Sequence, residues 1–494
     1  MKKVGKYIII TLLMLLGLCC VGVLYLFFIP KSSLFNITYI NHNKQLQSEK
    51  YNISNVVQVD LNSRAYDVNI LSTDESFVYV EINCNSFGFV LTKNKDTSIT
   101  SYVNNSVLTF NIIEPYGFAV KNNSYINLYI PKTSNLNLNL SNKKAKTTIK
   151  SSNLQINNLT YSTNSGNFNF NEGKINGSMN LNLDKSVFTL NENVQTNNND
   201  VKLSMTSGKF YATKSTLGNI EITNNERGVI DIQNCNNFIE NQSSAGGQIY
   251  IDKVEYISLT ASDTIVEITD VTDGAIIDLK GSGKITINKV QAYSTLTTKS
   301  GDITINNCDA TVILHTDTGN IDVQNAMKTV SIKTNHGNAT VNFSNDAKHY
   351  SPSDETKTRT LYATIHNGTL TATGVEHIGV ADENEEFNFT GLKVTGNGQI
   401  NLSMNDVCGE NSIAGKDGNI NVVVNTSSQY ILKTSSKTGN VRVNLAQIEQ
   451  SYGYTSQEEQ TTLVNCSNST NTLTVSTNQG NLTLLDNLMY ENGF

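Results

Sequence analysis

One pattern returns at a fixed spacing between Gly283 and Phe343. It reads GKITINKV from Gly283, GDITINNC from Gly301, GNIDVQNA from Gly319 and GNATVNFS from Gly337. Each glycine follows the last by 18 residues. A fixed period with self-similar content is how a repeat architecture shows itself in sequence. It also rules out most globular folds, whose elements do not recur.

Within the unit from Gly301, Ile303 and Ile305 alternate with Asp302, Thr304 and Asn306. Period-two alternation describes a strand with one buried and one wet face. A second short strand follows at Val312-Ile313-Leu314, and Asp317-Thr318-Gly319 closes the unit. A glycine at one place in every unit is expected to turn a corner in positive φ. Two positions after such glycines stand Phe168, Phe210, Ile230, Ile249, Ile285, Ile303, Ile321, Leu370, Ile400, Ile420, Val441 and Leu482. Four positions after stand Phe170, Ile232, Ile251, Ile287, Ile305, Val323, Val341, Leu402, Val422, Val443 and Leu484. Stacked coil on coil, these columns become two apolar ladders, each rung buried only by its neighbours.

The expected fold is therefore all-β: a parallel β-solenoid of about 18–21 residues per coil, two-sheeted or irregularly three-sided. A hexapeptide coil would need an aliphatic anchor every six residues, and here the anchors fall two apart and then pause. About sixteen rungs between residues 136 and 485, at about 4.8 Å each, make a rod on the order of 75 Å long.

The chain has only 4 Pro in 494 residues, which suits continuous strand pairing, because proline cannot donate to a ladder. Asparagine recurs just after the corner glycine, at Asn167, Asn219, Asn320, Asn338, Asn419, Asn440 and Asn481. A stacked asparagine ladder is the expectation there. Net charge is −7, but residues 1–31 carry Lys2, Lys3, Lys6 and Lys31 and no acids, so the remainder carries −11. An acidic body whose arginines are Arg64, Arg227, Arg359 and Arg442 is a poor match for nucleic acid.

Taken in order, residues 1–30 read as a basic start and a transmembrane signal anchor. Tyr7 to Ile29 is a predominantly apolar, uncharged run long enough to span a bilayer. The lysines before it put the N-terminus in the cytoplasm and the body outside the cell membrane, as a single-pass protein. Leu18 stands where a lipoprotein signal wants a small residue, and no small-x-small cleavage site follows the run. Residues 31–52 read as a stalk, and 53–135 as an N-terminal β-module that caps the solenoid. The solenoid itself spans 136–485, with insertions near 344–360 and 446–465, and 486–494 is a tail.

The run VQVDLNSRAYDVNILSTDESFVYVEI, the segment INLYIPKTSNLNLNL and the repeated SG-D-I-x-I units together resemble the bacterial putative-adhesin family of unknown function. The resemblance covers most of residues 53–485. It implies a bacterial, often membrane-anchored solenoid protein and supplies no functional residues.

Catalytic, cofactor and metal residues are not indicated by the sequence. Cys84, Cys235, Cys308, Cys408 and Cys466 are scattered and never form C-x-x-C, so each is expected to fill a small inward position. His315, His336 and His366 lie near corners, and stacking could bring His336 toward His366. The acidic run Asp382-Glu383-Asn384-Glu385-Glu386 reads as a solvated turn. The outward column three after the glycine mixes Glu221, Asp231, Thr286, Thr304, Asp322 and Thr340, without the facing acids and base of a glycan-cleaving site. The insertions hold His349, Pro352 and Arg359, then Tyr452, Tyr454, Glu458 and Glu459, and long excursions from a regular scaffold are where binding concentrates.

The expectation is a structural or adhesin-like binding module, not an enzyme. Its partners would be the membrane, through residues 7–29, and a cell-wall, glycan or protein ligand, with no nucleic acid and no cofactor. The alternatives are an accessory or regulatory ectodomain of an envelope system and a glycan-cleaving solenoid enzyme.

Overall fold

The structure is a computed structural model. It describes residues 14–19, 38–90, 96–115, 120–244, 246–351, 353, 358–379, 391–445, 448–452 and 459–487. Apart from residues 14–19 and one short 3-10 turn at Ile53–Asn55, the described residues build strands and their connections. Parallel pairing, coil upon coil, organises nearly all of them.

The central repeat shows the rule. Ile285 pairs with Ile303 and Ile303 with Ile321, an 18-residue step each time. On the facing sheet, Leu296 pairs with Leu314 and Leu314 with Ile332 at the same step. Each coil thus gives one short strand to each of two parallel sheets, and apolar side chains from both meet between them. Ile303, Ile305, Cys308, Val312, Leu314 and Thr316 all point inward and are buried.

The ladder two residues past the glycine corner runs almost the full rod. It passes Phe168, Phe188, Phe210, Ile230, Ile249, Val266 and Ile285, then Ile303, Ile321, Ala339, Leu370, Ile400 and Ile420. Phe168 and Phe188 stack with ring centroids 4.6 Å apart. Between Thr147 and Leu279 several strands are 15–17 residues long and wrap the other corner, where the register shifts by a bulge at Ala212/Thr216 and at Val254/Tyr256. Such bulges bend a strand without ending its pairing.

The glycine corner works differently from the expectation. Gly283, Gly301, Gly319 and Gly337 lie outside the positive-φ region. Glycine is needed because the coils come too close for a side chain. A Cβ on Gly301 would lie 1.4 Å from the Gly283 carbonyl oxygen, and one on Gly319 would lie 2.0 Å from that of Gly301. The column continues through Gly418, Gly480 and Gly439, each with its Cβ position within 2 Å of the preceding glycine's oxygen.

Three residues before the corner, a buried hydroxyl or amide oxygen takes the glycine N–H. Thr316 Oγ1 accepts from Gly319 at 2.9 Å, Ser436 Oγ from Gly439 at 2.9 Å, Thr477 Oγ1 from Gly480 at 3.1 Å and Asn225 Oδ1 from Gly228 at 2.8 Å. The asparagine ladder lies one residue past the glycine. Asp302 Oδ1 accepts the Asn320 amide at 2.8 Å, Asn320 Oδ1 accepts that of Asn338 at 3.0 Å, and Asn338 Oδ1 accepts that of Thr369 at 2.9 Å.

Both ends fold back on themselves. At the C-terminal end, Ile420–Val424 pairs with Leu482–Asp486, which in turn pairs with Val441–Leu445. Residues 472–486 therefore slot between two earlier coils. The outermost coil is closed by antiparallel strands, Ile448–Tyr452 on Val441–Leu445 and Gln460–Val464 on Tyr430–Ser436. The expected insertion at 446–465 thus supplies the closing strands.

At the other end, Gln58–Ser63 and Asp67–Thr73 pair in parallel with Leu136–Asn142 and Thr147–Thr163. They pair also with Val107–Ile113 and Tyr125–Pro131 on their far side. These are two further coils of the same stack, so no break separates 53–135 from the solenoid. Antiparallel strands Phe77–Val90 and Ser98–Asn104 then cover the outer edge. The expected stalk contains strand Thr38–Gln47, paired antiparallel along Phe77–Val90. Closing strands at both ends satisfy edges that would otherwise recruit another chain.

Of the expected membrane span, only residues 14–19 are described, as helix; the rest lies outside the described residues. Among the described residues no helix is long and apolar enough to cross a membrane.

Candidate functional site

The strongest departure from regularity follows Phe343. Ala339 pairs with Leu370 and Leu370 with Ile400, steps of 31 and 30 residues where the coil needs about 18. Two successive coils therefore each carry an excursion. The first falls in the expected 344–360 insertion. The second follows Val375 and includes 380–390, so the acidic run 382–386 lies outside the described residues.

Glu376 sits where the two excursions meet, with its side chain 1% exposed. Arg359 Nη1 donates to its Oε1 at 3.2 Å, His349 Nδ1 lies 2.8 Å from the same oxygen, and the Tyr350 amide donates to Oε2 at 2.8 Å. Arg359 Nη2 donates to the Asn345 carbonyl at 2.6 Å. The chain continues the join: Glu376 and His377 amides both donate to the Arg359 carbonyl. A buried carboxylate without partners would be expensive, and three donors on Glu376 remove that cost. The ion pair clamps the first excursion to the rod.

Around the clamp, Tyr350 stacks on His377 with ring centroids 4.0 Å apart. His377 Nδ1 lies 2.8 Å from the Cys408 carbonyl oxygen. A carbonyl can only accept, so Nδ1 carries the proton. Asn411 ties the next coil in, with Oδ1 accepting the Ile378 amide and Nδ2 donating to the Cys408, Gly409 and Thr472 carbonyls.

His349 is 85% exposed although its Nδ1 faces a buried carboxylate. Glu376 therefore orients an imidazole whose other edge meets solvent. That is half of an acid–base constellation. Among the described residues no hydroxyl or thiol bonds His349.

The remaining candidates are spread along the rod. Cys84, Cys235 and Cys308 are buried, while Cys408 and Cys466 are half-buried, and all five are free thiols. Cys308 continues a ladder between Val290 and Ala326, and burial pushes its thiol up to about 12. His336 and His366 do meet, edge to face at 6.1 Å, and His366 Nδ1 lies 2.7 Å from Thr395 Oγ1. Among the described residues no group of three or more His, Cys, Asp or Glu is placed to hold a metal ion. In the outward column, burial first and the nearby Asp252 second raise the Asp231 carboxyl.

Sequence reasoning missed a lone buried acid. Glu240 lies in the apolar ladder between Ile222 and Leu259, 1% exposed, and among the described residues neither carboxyl oxygen has a hydrogen-bond partner. Burial pushes its carboxyl up to about 8. Its alternation with Phe238 was the signal that it points inward.

Residues 56–235 match the family model Toastrack DUF4097. The matched stretch opens at VVQVDL, so the resemblance read from that run stands. No curated protein matches the sequence. Among solved structures the chain is similar to a "putative cell adhesion protein" from Clostridium sporogenes ATCC 15579. The two share 8% identity over 90% of this chain and 100% of that one, with a TM-score of 0.15. A likeness at that score carries no argument.

Proposed function

We propose that this chain is a bacterial surface rod, anchored by residues 7–29 and projecting a rigid β-solenoid as a binding module. The observation that carries the reading is the first of two successive excursions, held by the Glu376–Arg359 clamp on an otherwise regular scaffold. A solenoid needs no such clamp to stand, since each rung is buried by its neighbours. Fixing an exposed imidazole and a stacked Tyr350–His377 pair beside it suits a preformed recognition surface. A cell-wall glycan or a surface protein fits the acidic, asparagine-rich exterior better than nucleic acid does.

The test is a pull-down and glycan-array screen with the full chain in lipid nanodiscs. It is repeated with residues 346–356 and 380–390 each replaced by a short Gly-Ser link. These cuts spare Arg359 and Glu376, so the buried carboxylate keeps its cation. They also spare 446–465, whose loss would bare the end of the stack. Binding that disappears with the links places the site at the excursions. Binding that survives moves it to the rod face. The absence of any ligand would turn the reading toward a spacer or a regulatory ectodomain.

A further inference from the structure

The sheet that closes the N-terminal end has an outer face graded from polar to aromatic. Along strand Thr38–Gln47 the outward residues run Gln47, Gln45, Asn43, Asn41 and then Tyr39. Their partners on Phe77–Val90 run Glu81, Asn83, Asn85, Phe87 and Phe89. The three aromatics gather at the end where the chain enters from residue 29. Tyr39, Phe87 and Phe89 are 58%, 41% and 36% exposed. Tyr39 and Phe89 rings meet edge to face at 5.4 Å. Lys121 Nζ lies 5.8 Å from the centre of the Phe87 ring, adding a cation to the same corner.

Exposed neighbouring aromatics at one end of a polar face call for an occupant. Tyr39 lies ten residue steps after Ile29, and at no more than about 3.6 Å each they reach about 36 Å. If residues 7–29 span the bilayer, that tether keeps the aromatic end within about 36 Å of it, and the polar end of the same face lies farther along the strand from the tether. Aromatic rings with a polar tip or a nearby cation partition to the headgroup level.

We propose that Tyr39, Phe87 and Phe89, with Lys121, dock into the outer headgroup region. This second membrane contact would set the rod's orientation on the cell. The inference rests on the anchored reading above, and it adds a contact that the anchor alone does not require.

The full chain has no tryptophan, so single tryptophans report cleanly. Phe89→Trp, at the aromatic end, and Asn43→Trp, in the polar stretch midway along the same face, are each placed in vesicles of phosphatidylcholine and phosphatidylglycerol. Vesicles carrying lipids brominated near the carbonyl end of the acyl chain are compared with unbrominated ones. Quenching of Phe89→Trp by about twofold or more, with Asn43→Trp unaffected, is the result expected for a residue at the interface. Adding Tyr39→Ser and Phe87→Ser should reduce that quenching.

Flotation after an alkaline wash reads the anchor separately. A chain that floats while Phe89→Trp stays unquenched overturns the docking and leaves the anchor standing. A chain that does not float overturns both. A blue-shifted but unquenched Phe89→Trp would mean that protein covers the face. An emission change on adding soluble cell-wall glycan, without quenching by brominated lipid, would make it a glycan platform. Either result overturns the proposal.

Discussion

Glu240 shows how a single residue can oppose a ladder that its neighbours build. In the unfolded chain its carboxyl ionises near the ordinary 4.5, whereas burial in the native state holds it protonated up to about 8. Between those values the unfolded state loses its proton and the native state does not. Stability therefore falls as pH rises through this window and levels off above it. At about 1.4 kcal/mol per pH unit, the effect is on the order of 5 kcal/mol across the window. Glu240→Leu, which continues the Ile222 and Leu259 ladder, should raise the melting temperature, and by more at pH 8 than at pH 5. Equal gains at both values would show that the carboxyl is solvated. The alternation in FIENQ was legible, yet a polar residue at an inward position gives no sign of its partners. The turn chemistry was similarly half-visible. The threonine or serine three before the glycine recurs at Thr298, Thr316, Thr334, Ser436 and Thr477, but only the structure shows that the oxygens of Thr316, Ser436 and Thr477 accept the glycine amide while Thr298 donates to the Gly301 carbonyl.

At the scale of elements, the apolar columns were readable because period-two alternation and an 18-residue step fix both face and register. The reason for the glycines was not. Sequence offers conformational freedom as their purpose, whereas the contact that matters lies between coils. Gly301→Ala tests this directly, because its Cβ would fall 1.4 Å from the Gly283 oxygen and the strands on either side hold the corner in place. The variant should lose at least about 2 kcal/mol, read as a lower thermal midpoint and faster proteolysis. Ser300→Ala, at the exposed neighbouring position, should stay within about 0.5 kcal/mol of the parent. Comparable losses for the two would mean that the corner can open. Excursions were legible only in part. Residues 344–360 broke the period visibly, but the second excursion hid behind an acidic run that reads as an ordinary turn. The N-terminal coils were missed because Gln58–Ser63 and Asp67–Thr73 lack the corner glycine, and their stacking partners lie 79 residues away at Thr147–Ile149 or beyond Val107.

The whole molecule is a one-dimensional object, and its stability should behave as one. Each coil touches its two neighbours, so free energy is close to a sum of coil and interface contributions instead of one global term. The ends resist fraying because each outermost coil is pinned by antiparallel strands and by a segment threaded in beneath it. Damage in the middle should therefore stay in the middle. Ile303→Asp buries a charge in a ladder whose neighbours, Ile285 and Ile321, offer no partner. Such a charge costs several kcal/mol, more than one coil contributes. Native-state hydrogen exchange should then lose protection together over the coils flanking residue 303. Protection should persist at Val59 and Phe110 near one end and at Leu482 near the other. Loss of protection throughout would show that the rod folds as a single cooperative unit. A melt and exchange pattern equal to the parent's would show that Ile303 does not face inward. The distinction bears on function, because a rod that tolerates a local opening keeps its two ends, and whatever each of them holds, in place.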